Sequence, residues 1–433
     1  MKKPVLAIKA AGSVPAETMG KQLLQQLEGW YGMAREEYCA EIQSALEDFC
    51  IEGKVITYSK YGNGNIHDTF LVQCQSENNS KKYILQRINH EVFAEPERLM
   101  DNIVQITGLL KKRIMERGGY PNRETLNPVL TKENRAYFKD GIGCYWRMYE
   151  FIEDATSFDQ VDSKEVFYES AVLFGNFQSL LSHFDASKLY ETIPDFHNTP
   201  VRYYTFLEAV KEDVCGRAAF VQKEIGFFIR HKRDMEICAE KLEKGELPLR
   251  VIHNDTKLNN IMIDNETGKG ICVIDLDTVM PGLTIYDFGD SIRFGANTAA
   301  EDELDLTKVS LDLELFELYV KGYLEGCKGS LTNLEIEMLP YGAKTMTLEC
   351  GMRFLTDYLQ GDQYFRIHRE NHNLDRCRTQ IAMVEDMEKS GTRCRILCLN
   401  IDKKEDRYMA ILVMGDAGYI SSHTCVELLN EIW

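Results

Sequence analysis

His253, Asp255 and Asn260 stand in the order H-x-D-x-x-x-x-N, and the apolar run Val273-Ile274 then delivers Asp275. Phosphoryl transfer from ATP needs groups of these types at this spacing. A carboxylate orients the attacking hydroxyl, and an amide with a second carboxylate holds magnesium against the phosphates. The step from Asp255 to Asn260 takes the chain round a loop so that both side chains can face one pocket. A turn containing Gly268 and Gly270 lets the next strand return Asp275 to the same place. Asp255 is therefore the expected catalytic residue, accepting a hydrogen bond from the acceptor hydroxyl and taking its proton late. Asn260 and Asp275 are hard oxygen donors and are the expected Mg2+ ligands. Asp277, two residues further on, reads as lying on the same strand face as Asp275. It would touch a second metal or substrate, or be a satisfied surface carboxylate.

Neighbouring residues divide into chemistry and bracing. His253 reads as a brace for the loop rather than an acid–base group. Lys257 could reach the γ-phosphate, or be a solvated lysine. Asp287 is expected to accept backbone hydrogen bonds and brace the catalytic loop. Further upstream, Gly62-Asn63-Gly64 lies between two strand-like runs, Val55–Tyr58 and Phe70–Gln73. Such a flap can cover phosphates with backbone N–H groups, so Gly62 and Gly64 are candidate ATP contacts; an ordinary β-hairpin is the alternative. On the third strand, Lys82–Ile88, Arg87 or Gln86 stands where a phosphate-ordering lysine is usual. Glu95 or Glu97 could pair with it.

The elements that position these groups follow from periodicity. Residues 35–50 read as an amphipathic helix with Tyr38, Ile42, Ala45, Leu46 and Phe49 on one face. Pro96 opens a helix to about Ile114, proline suiting a first helical position. Asp140-Gly141 suggests a tight turn between two further strands, the second running from Cys144 to Ile152. From Ser163 to Gly245, and again from Leu311 to Met387, the pattern is helical. The expected class is α+β: a small β-rich lobe, then a larger helical lobe, with a cleft between.

With 433 residues the chain is long enough for two or three domains, and 44% hydrophobic residues can fill sizeable cores. A formal charge of −18 disfavours nucleic acid and anionic membranes as partners. No apolar run is long enough to span a bilayer, and Lys9 interrupts the only signal-like stretch. The 13 cysteines lack C-x-x-C spacing, and Cys144, Cys272 and Cys350 sit in apolar runs. Reduced, buried thiols in a cytoplasmic protein are the expectation.

The loop, Asp275 and Asp287 resemble the aminoglycoside phosphotransferase and choline kinase superfamily, which has a protein-kinase-like fold. A closer resemblance is carried by longer strings: Leu85-Gln86-Arg87-Ile88-Asn89-His90, His253-Asn254-Asp255-Thr256-Lys257, Ile274–Gly282, Asp287-Phe288-Gly289-Asp290 and Arg353–Asp362. These are similar to bacterial N-acetylhexosamine 1-kinases over roughly residues 50–388. Ordinary protein kinases fit less well, since no Arg stands between His253 and Asp255 and Asp275-Leu276-Asp277 replaces Asp-Phe-Gly. The resemblance implies ATP-dependent phosphorylation of the anomeric hydroxyl of N-acetylglucosamine or N-acetylgalactosamine. It implies adenine held by backbone near Tyr149 and Phe151, with Arg87 and Lys257 among the ATP contacts. Asn65, His67, Arg293, Arg353 and Tyr364 are the candidate sugar contacts, each with a structural ion pair or core-edge position as its alternative. A kinase for another acceptor, such as an amino alcohol, and a non-catalytic kinase-like binding module are the competing readings.

The implied organisation is an N-terminal extension (1–49), a nucleotide-binding lobe (50–155), a catalytic and substrate-binding lobe (156–390) and a tail (391–433). From Met409 the tail resembles the first strand, glycine turn and helix of UDP-glucose 4-epimerase, with Ser421 at the third glycine position. The remaining length is too short for a dinucleotide-binding domain. The tail is therefore expected to be a decayed epimerase start, dispensable and without NAD.

Overall fold

The computed structural model describes residues 40–62, 66–77, 79–158 and 163–414, with side chains through Asp402. Gly64, Asn65, most of the expected N-terminal extension and the Gly-rich part of the tail lie outside the described residues. The chain divides into two compact units. One holds the described residues through Ile88 together with Val129–Met148; the other holds Asn89–Pro128 and the described residues from Tyr149 onward.

The first unit is an antiparallel sheet backed by a helix, α1 (40–48). Ile42, Ala45, Leu46 and Phe49 recur at helical spacing and are all buried. Strands β1 (Lys54–Lys60), β2 (Asp68–Gln75), β3 (Ser80–Ile88), β4 (Phe138–Lys139) and β5 (Tyr145–Glu150) lie in the order β1-β2-β3-β5-β4. Alternation decides the faces: Phe70, Val72 and Cys74 of β2 and Tyr83 and Leu85 of β3 point into one core with Trp146 and Met148. The β4–β5 connection is longer than a two-residue turn. Asp140 accepts from the backbone N–H groups of Ile142 (3.1 Å) and Cys144 (2.8 Å) and from the Trp146 indole (2.9 Å), closing an Asx-type loop.

The second unit is mainly helical. Its N-terminal part carries α2 (Pro96–Glu116) and α3 (Pro121–Glu124), so the expected contiguous lobe 50–155 is shared between the two units. After β6 (Ala155–Thr156) come α4 (Lys164–Leu181), α5 (Thr199–Glu212), α6 (Gln222–Arg230) and α7 (Lys232–Glu243). Four short strands follow: β7 (Arg250–Ile252), β8 (Ile261–Asp264), β9 (Gly270–Val273) and β10 (Met280–Gly282). Helices α8 (Thr284–Gly295), α9 (Leu313–Cys327), α10 (Asn333–Gln360) and α11 (His372–Met414) complete the unit. The start of α10 is a capping box between Thr332 and Glu335.

Helix α8 approaches α10 at glycine. A Cβ on Gly289 would stand 2.4 Å from the Gly342 carbonyl oxygen, and one on Gly342 would stand 2.2 Å from that of Ile285. The contact places α8, which carries Asp287 and Asp290, against the middle of α10.

Two expectations for the C-terminus are corrected. Residues 409–414 continue α11 as helix rather than opening a strand. An apolar run such as Ala410–Met414 suits either state, and here it extends an existing helix, which needs no new nucleus. Cys394, Cys398 and Ile401 are also buried (2%, 0% and 9% exposed), so residues just past 390 belong to the packed unit. All eleven described cysteines are free thiols, and no helix among the described residues is long and apolar enough to cross a membrane.

Candidate active site

The short strands of the second unit bring the H-x-D-x-x-x-x-N loop and Asp275 together. β7 pairs antiparallel with β10 (Ile252 opposite Met280), and β8 with β9 (Ile261 opposite Val273). One step beyond that last pair, the Ile274 N–H donates to the Asn260 carbonyl at 2.8 Å. Asn260 and the residue preceding Asp275 are thus neighbours across the hairpin. Asp275 then adopts a left-handed conformation (φ 55°), ending the strand. A short 3-10 turn (Leu276–Thr278) follows, so strand alternation does not relate Asp275 to Asp277. The same-face expectation is corrected accordingly: Asp275 is exposed, whereas Asp277 is buried.

Asp255 sits at the loop's centre. The Asn260 side-chain amide donates to its backbone carbonyl (2.8 Å) and to its carboxylate (3.0 Å). That use of Nδ2 leaves Oδ1 of Asn260 as an oxygen donor. The Lys257 ammonium lies 2.6 Å from the other Asp255 oxygen. Burial pulls the Lys257 ammonium down, but Asp255 and Asp290 outweigh it and hold it above its ordinary value.

A layer beneath the loop fixes its backbone. The buried Asp287 carboxylate accepts from the N–H groups of His253 and Asn254, both at 2.8 Å, and from the Gln178 amide at 3.0 Å. Burial raises the Asp287 carboxyl, and the His253 and Asn254 residues that donate to it work against that rise. Thr256 donates to the Asp287 carbonyl (2.6 Å), and Ser291 to the Thr256 carbonyl (2.9 Å). His253 donates from Nε2 to the Ile274 carbonyl (2.9 Å) and accepts the Asp255 N–H at Nδ1 (3.3 Å). Both ring nitrogens are therefore used in bracing. Asn254 is held at φ 67°, a strained region for a non-glycine residue.

Beside the loop is a polar cluster on α8, α10 and the turn before α5. Asp290 binds the Arg293 guanidinium at 2.9 and 3.0 Å, and Arg293 also reaches Glu301 at 2.8 Å. Burial raises the Asp290 carboxyl, but Arg293 and Lys257 outweigh it and hold it below its usual range. Arg293 is thus engaged in a buried ion-pair network. Arg353 is different. Its guanidinium lies 5.6–5.7 Å from the rings of Phe196, Tyr364 and Phe365, and it donates to the Tyr364 hydroxyl at 3.3 Å. Among the described residues no carboxylate oxygen lies within 4.0 Å of it.

His197, Glu349 and Arg202 were not singled out from sequence. His197 Nδ1 lies 2.7 Å from the Glu349 carboxylate, which also accepts from Thr199 at 2.5 Å. The pairs are 152 and 150 residues apart, so no local pattern signals them. Arg202 has a buried Nε without a hydrogen-bond partner among the described residues.

The other candidates fall as follows. Gly62, His67 and Arg87 belong to the first unit, with Gly62 exposed at φ 74°. Arg87 faces Asp68 directly across β2 and β3, binding it at 2.6 and 3.1 Å. Its sheet partner is thus Asp68, and Glu95 pairs with Arg98 at 2.7 Å. Tyr149 (buried) and Phe151 (half-buried) stand at the start of the second unit's long segment.

A family model described as the phosphotransferase enzyme family matches residues 57–316, more than half of the chain. Among solved structures, an aminoglycoside phosphotransferase from Alicyclobacillus acidocaldarius superposes with a TM-score of 0.51 at 10% identity, covering 84% of this chain and 96% of that one. A choline kinase from Cryptosporidium parvum gives a TM-score of 0.51 at 16% identity, covering 79% and 92%. These similarities show a kinase-like α+β fold. The H-x-D-x-x-x-x-N loop described above lies inside the matched region, and the chain belongs to the phosphotransferase enzyme family.

Proposed function

We propose that this chain transfers the γ-phosphoryl group of ATP to the anomeric hydroxyl of N-acetylglucosamine or N-acetylgalactosamine. The observation that carries the acceptor class is the environment of Arg353. Glu349 and Arg353 lie one helical turn apart on α10. Glu349 binds His197, whose other ring nitrogen faces the Asn254 carbonyl beside Asp255. Arg353 and its aromatic frame thereby adjoin the catalytic loop. The ring faces that could cage a quaternary ammonium already hold a resident cation. An amino-alcohol cation would meet like charge there, from Arg353 and from neighbouring Arg202. A neutral acceptor rich in hydroxyl and carbonyl oxygens suits two guanidinium donors.

Within this reading, Asp255 orients the anomeric hydroxyl for in-line attack on the γ-phosphorus. A bond forms from the sugar oxygen to phosphorus as the bond to the β–γ bridging oxygen breaks, and the hydroxyl proton passes late to Asp255. Lys257 adds positive charge beside the transferring group. Asn260, through Oδ1, and the exposed Asp275 carboxylate fit a hard divalent cation and would hold it. When bound, magnesium supplies charge neutralisation at the phosphates. Gly62 and Gly64 remain proposed phosphate contacts, Tyr149 and Phe151 the proposed adenine frame, and Asn65 and His67 proposed sugar contacts.

The test is an acceptor panel of hexosamines, N-acetylhexosamines, choline and ethanolamine with ATP and magnesium, read by phosphorus NMR. A sugar 1-phosphate resonance with the N-acetylhexosamines alone is expected. Transfer only to choline or ethanolamine would overturn the acceptor class.

A further inference from the structure

Two imidazoles hold the two ends of one peptide bond. The bond joins Asn254 to Asp255. Its N–H donates to Nδ1 of His253 at 3.3 Å, and its carbonyl oxygen faces Nε2 of His197 at 3.2 Å. The two rings differ in what surrounds them. His253 has one acceptor, the Ile274 carbonyl, and one donor, the Asp255 N–H. A neutral ring with its proton on Nε2 satisfies both. His197 has two acceptors: the Glu349 carboxylate at Nδ1 and the Asn254 carbonyl at Nε2. Only an imidazolium donates from both nitrogens.

We propose that His197 is a positioning residue: as an imidazolium paired with Glu349, it holds the Asn254 carbonyl and so sets the peptide plane that carries Asp255. The inference rests on Asp255 being the residue that orients the acceptor. The position needs such a hold, because Asn254 is kept in a left-handed conformation that costs about 1–3 kcal/mol unless its surroundings enforce it. Asp287 grips the N–H side of this turn, and Thr278 accepts the Asn254 side-chain amide at 2.7 Å. His197 grips the carbonyl side. Its side chain and that of Glu349 are 9% and 1% exposed, so water does not readily replace the pair.

The charges around the ring favour the cation on balance. Burial pulls the His197 ring down, and Glu349, with a smaller contribution from Asp290, outweighs it; Arg353 opposes. Asp287 of α8 also feels the ring's charge. The rings of Phe196 and Tyr286 lie against the His197 ring, with centroids at 4.6 and 6.0 Å. The folded value is therefore raised. The imidazolium is retained below that value and lost as pH rises through it, so turnover falls on the alkaline side.

The experiment has an NMR arm and a kinetic arm, both on the full chain. Long-range nitrogen–proton NMR should show both His197 nitrogens protonated at neutral pH, with one proton lost only above the range of a free histidine. His197→Ala should lower kcat on the order of 10–100-fold while leaving KM for ATP nearly unchanged. His197→Gln, whose amide can donate to the same carbonyl, should recover much of kcat and lose the wild-type alkaline limb. Glu349→Gln removes the charge that raises the ring, so the limb should move to lower pH. A neutral His197 at neutral pH, an alkaline limb unchanged in His197→Gln, or a folded His197→Ala with wild-type kcat would overturn the proposal. If His197→Ala fails to fold, the ring's protonation and the His197→Gln profile still decide. Turnover is measured with N-acetylglucosamine and, in parallel, as ADP release with water as acceptor. Absence of sugar phosphate with an intact NMR and ADP signature would fault the acceptor reading and not this one.

Discussion

Replacing Asp287 with Asn keeps the side chain's shape and removes one acceptor and one charge. The carboxylate now takes three hydrogen bonds, from the backbone N–H groups of His253 and Asn254 and from Gln178. An amide keeps one oxygen and turns an N–H toward a donor. One buried backbone N–H left without an acceptor costs about 1–3 kcal/mol. The bonds that remain fall from the charged range of about 1.5–3 to the neutral range of about 0.5–1.5 kcal/mol each. Removing the charge also relieves the burial that raises this carboxyl, which offsets part of the loss. The net expectation for Asp287→Asn is a destabilisation of about 2–4 kcal/mol in urea unfolding. The freed Asn254 should relax from its left-handed conformation and carry Asp255 with it. Turnover should fall on the order of 100-fold under conditions where the variant remains folded. A variant within about 0.5 kcal/mol of wild type and with unchanged turnover would refute the account of the brace.

Asp255→Asn should leave nucleotide binding, read by calorimetry, nearly intact while cutting turnover about 10²–10⁴-fold; near-wild-type turnover would remove Asp255 from its role. Asn260→Ala and Asp275→Ala should each raise the magnesium concentration needed for half-maximal activity, and activity that survives excess chelator would rule out the metal. Arg353→Ala should raise KM for the N-acetylhexosamine far more than KM for ATP, and equal effects would place Arg353 outside the sugar site. Truncation after Ser390 removes the buried Cys394, Cys398 and Ile401 and should destabilise the chain by several kcal/mol, at about 1.5–3 kcal/mol for a fully buried aliphatic side chain. An unchanged melting temperature would show that the end of α11 is dispensable after all.

The parts of the fold that were legible in the sequence are those where one periodicity decides the matter. Ile42, Ala45, Leu46 and Phe49 recur at helical spacing, and Phe70, Val72 and Cys74 alternate; both patterns end on the buried side. The expectation that Asp287 accepts backbone hydrogen bonds matches its bonds from the His253 and Asn254 N–H groups. What escaped was set by conformation or by distance along the chain. Asp277 left its expected face because Asp275 turns left-handed before it. The run from Ala410 continued a helix because apolar residues alone do not separate helix from strand. Arg293 and Arg353 look equivalent as isolated arginines, yet one is enclosed by Asp290 and Glu301 and the other faces aromatic rings. His197 and Glu349 meet only because α10 packs beside the turn before α5.

The proposed reaction moves phosphate from ATP to the anomeric oxygen of an N-acetylhexosamine. The most direct measurement uses N-acetylglucosamine labelled with carbon-13 at the anomeric carbon, incubated with the full chain, ATP and magnesium, and followed by carbon and phosphorus NMR. A two-bond carbon–phosphorus splitting should appear on the labelled carbon and grow in step with ADP. Phosphate on any other sugar oxygen, or ADP and inorganic phosphate with the labelled carbon unsplit, would contradict it.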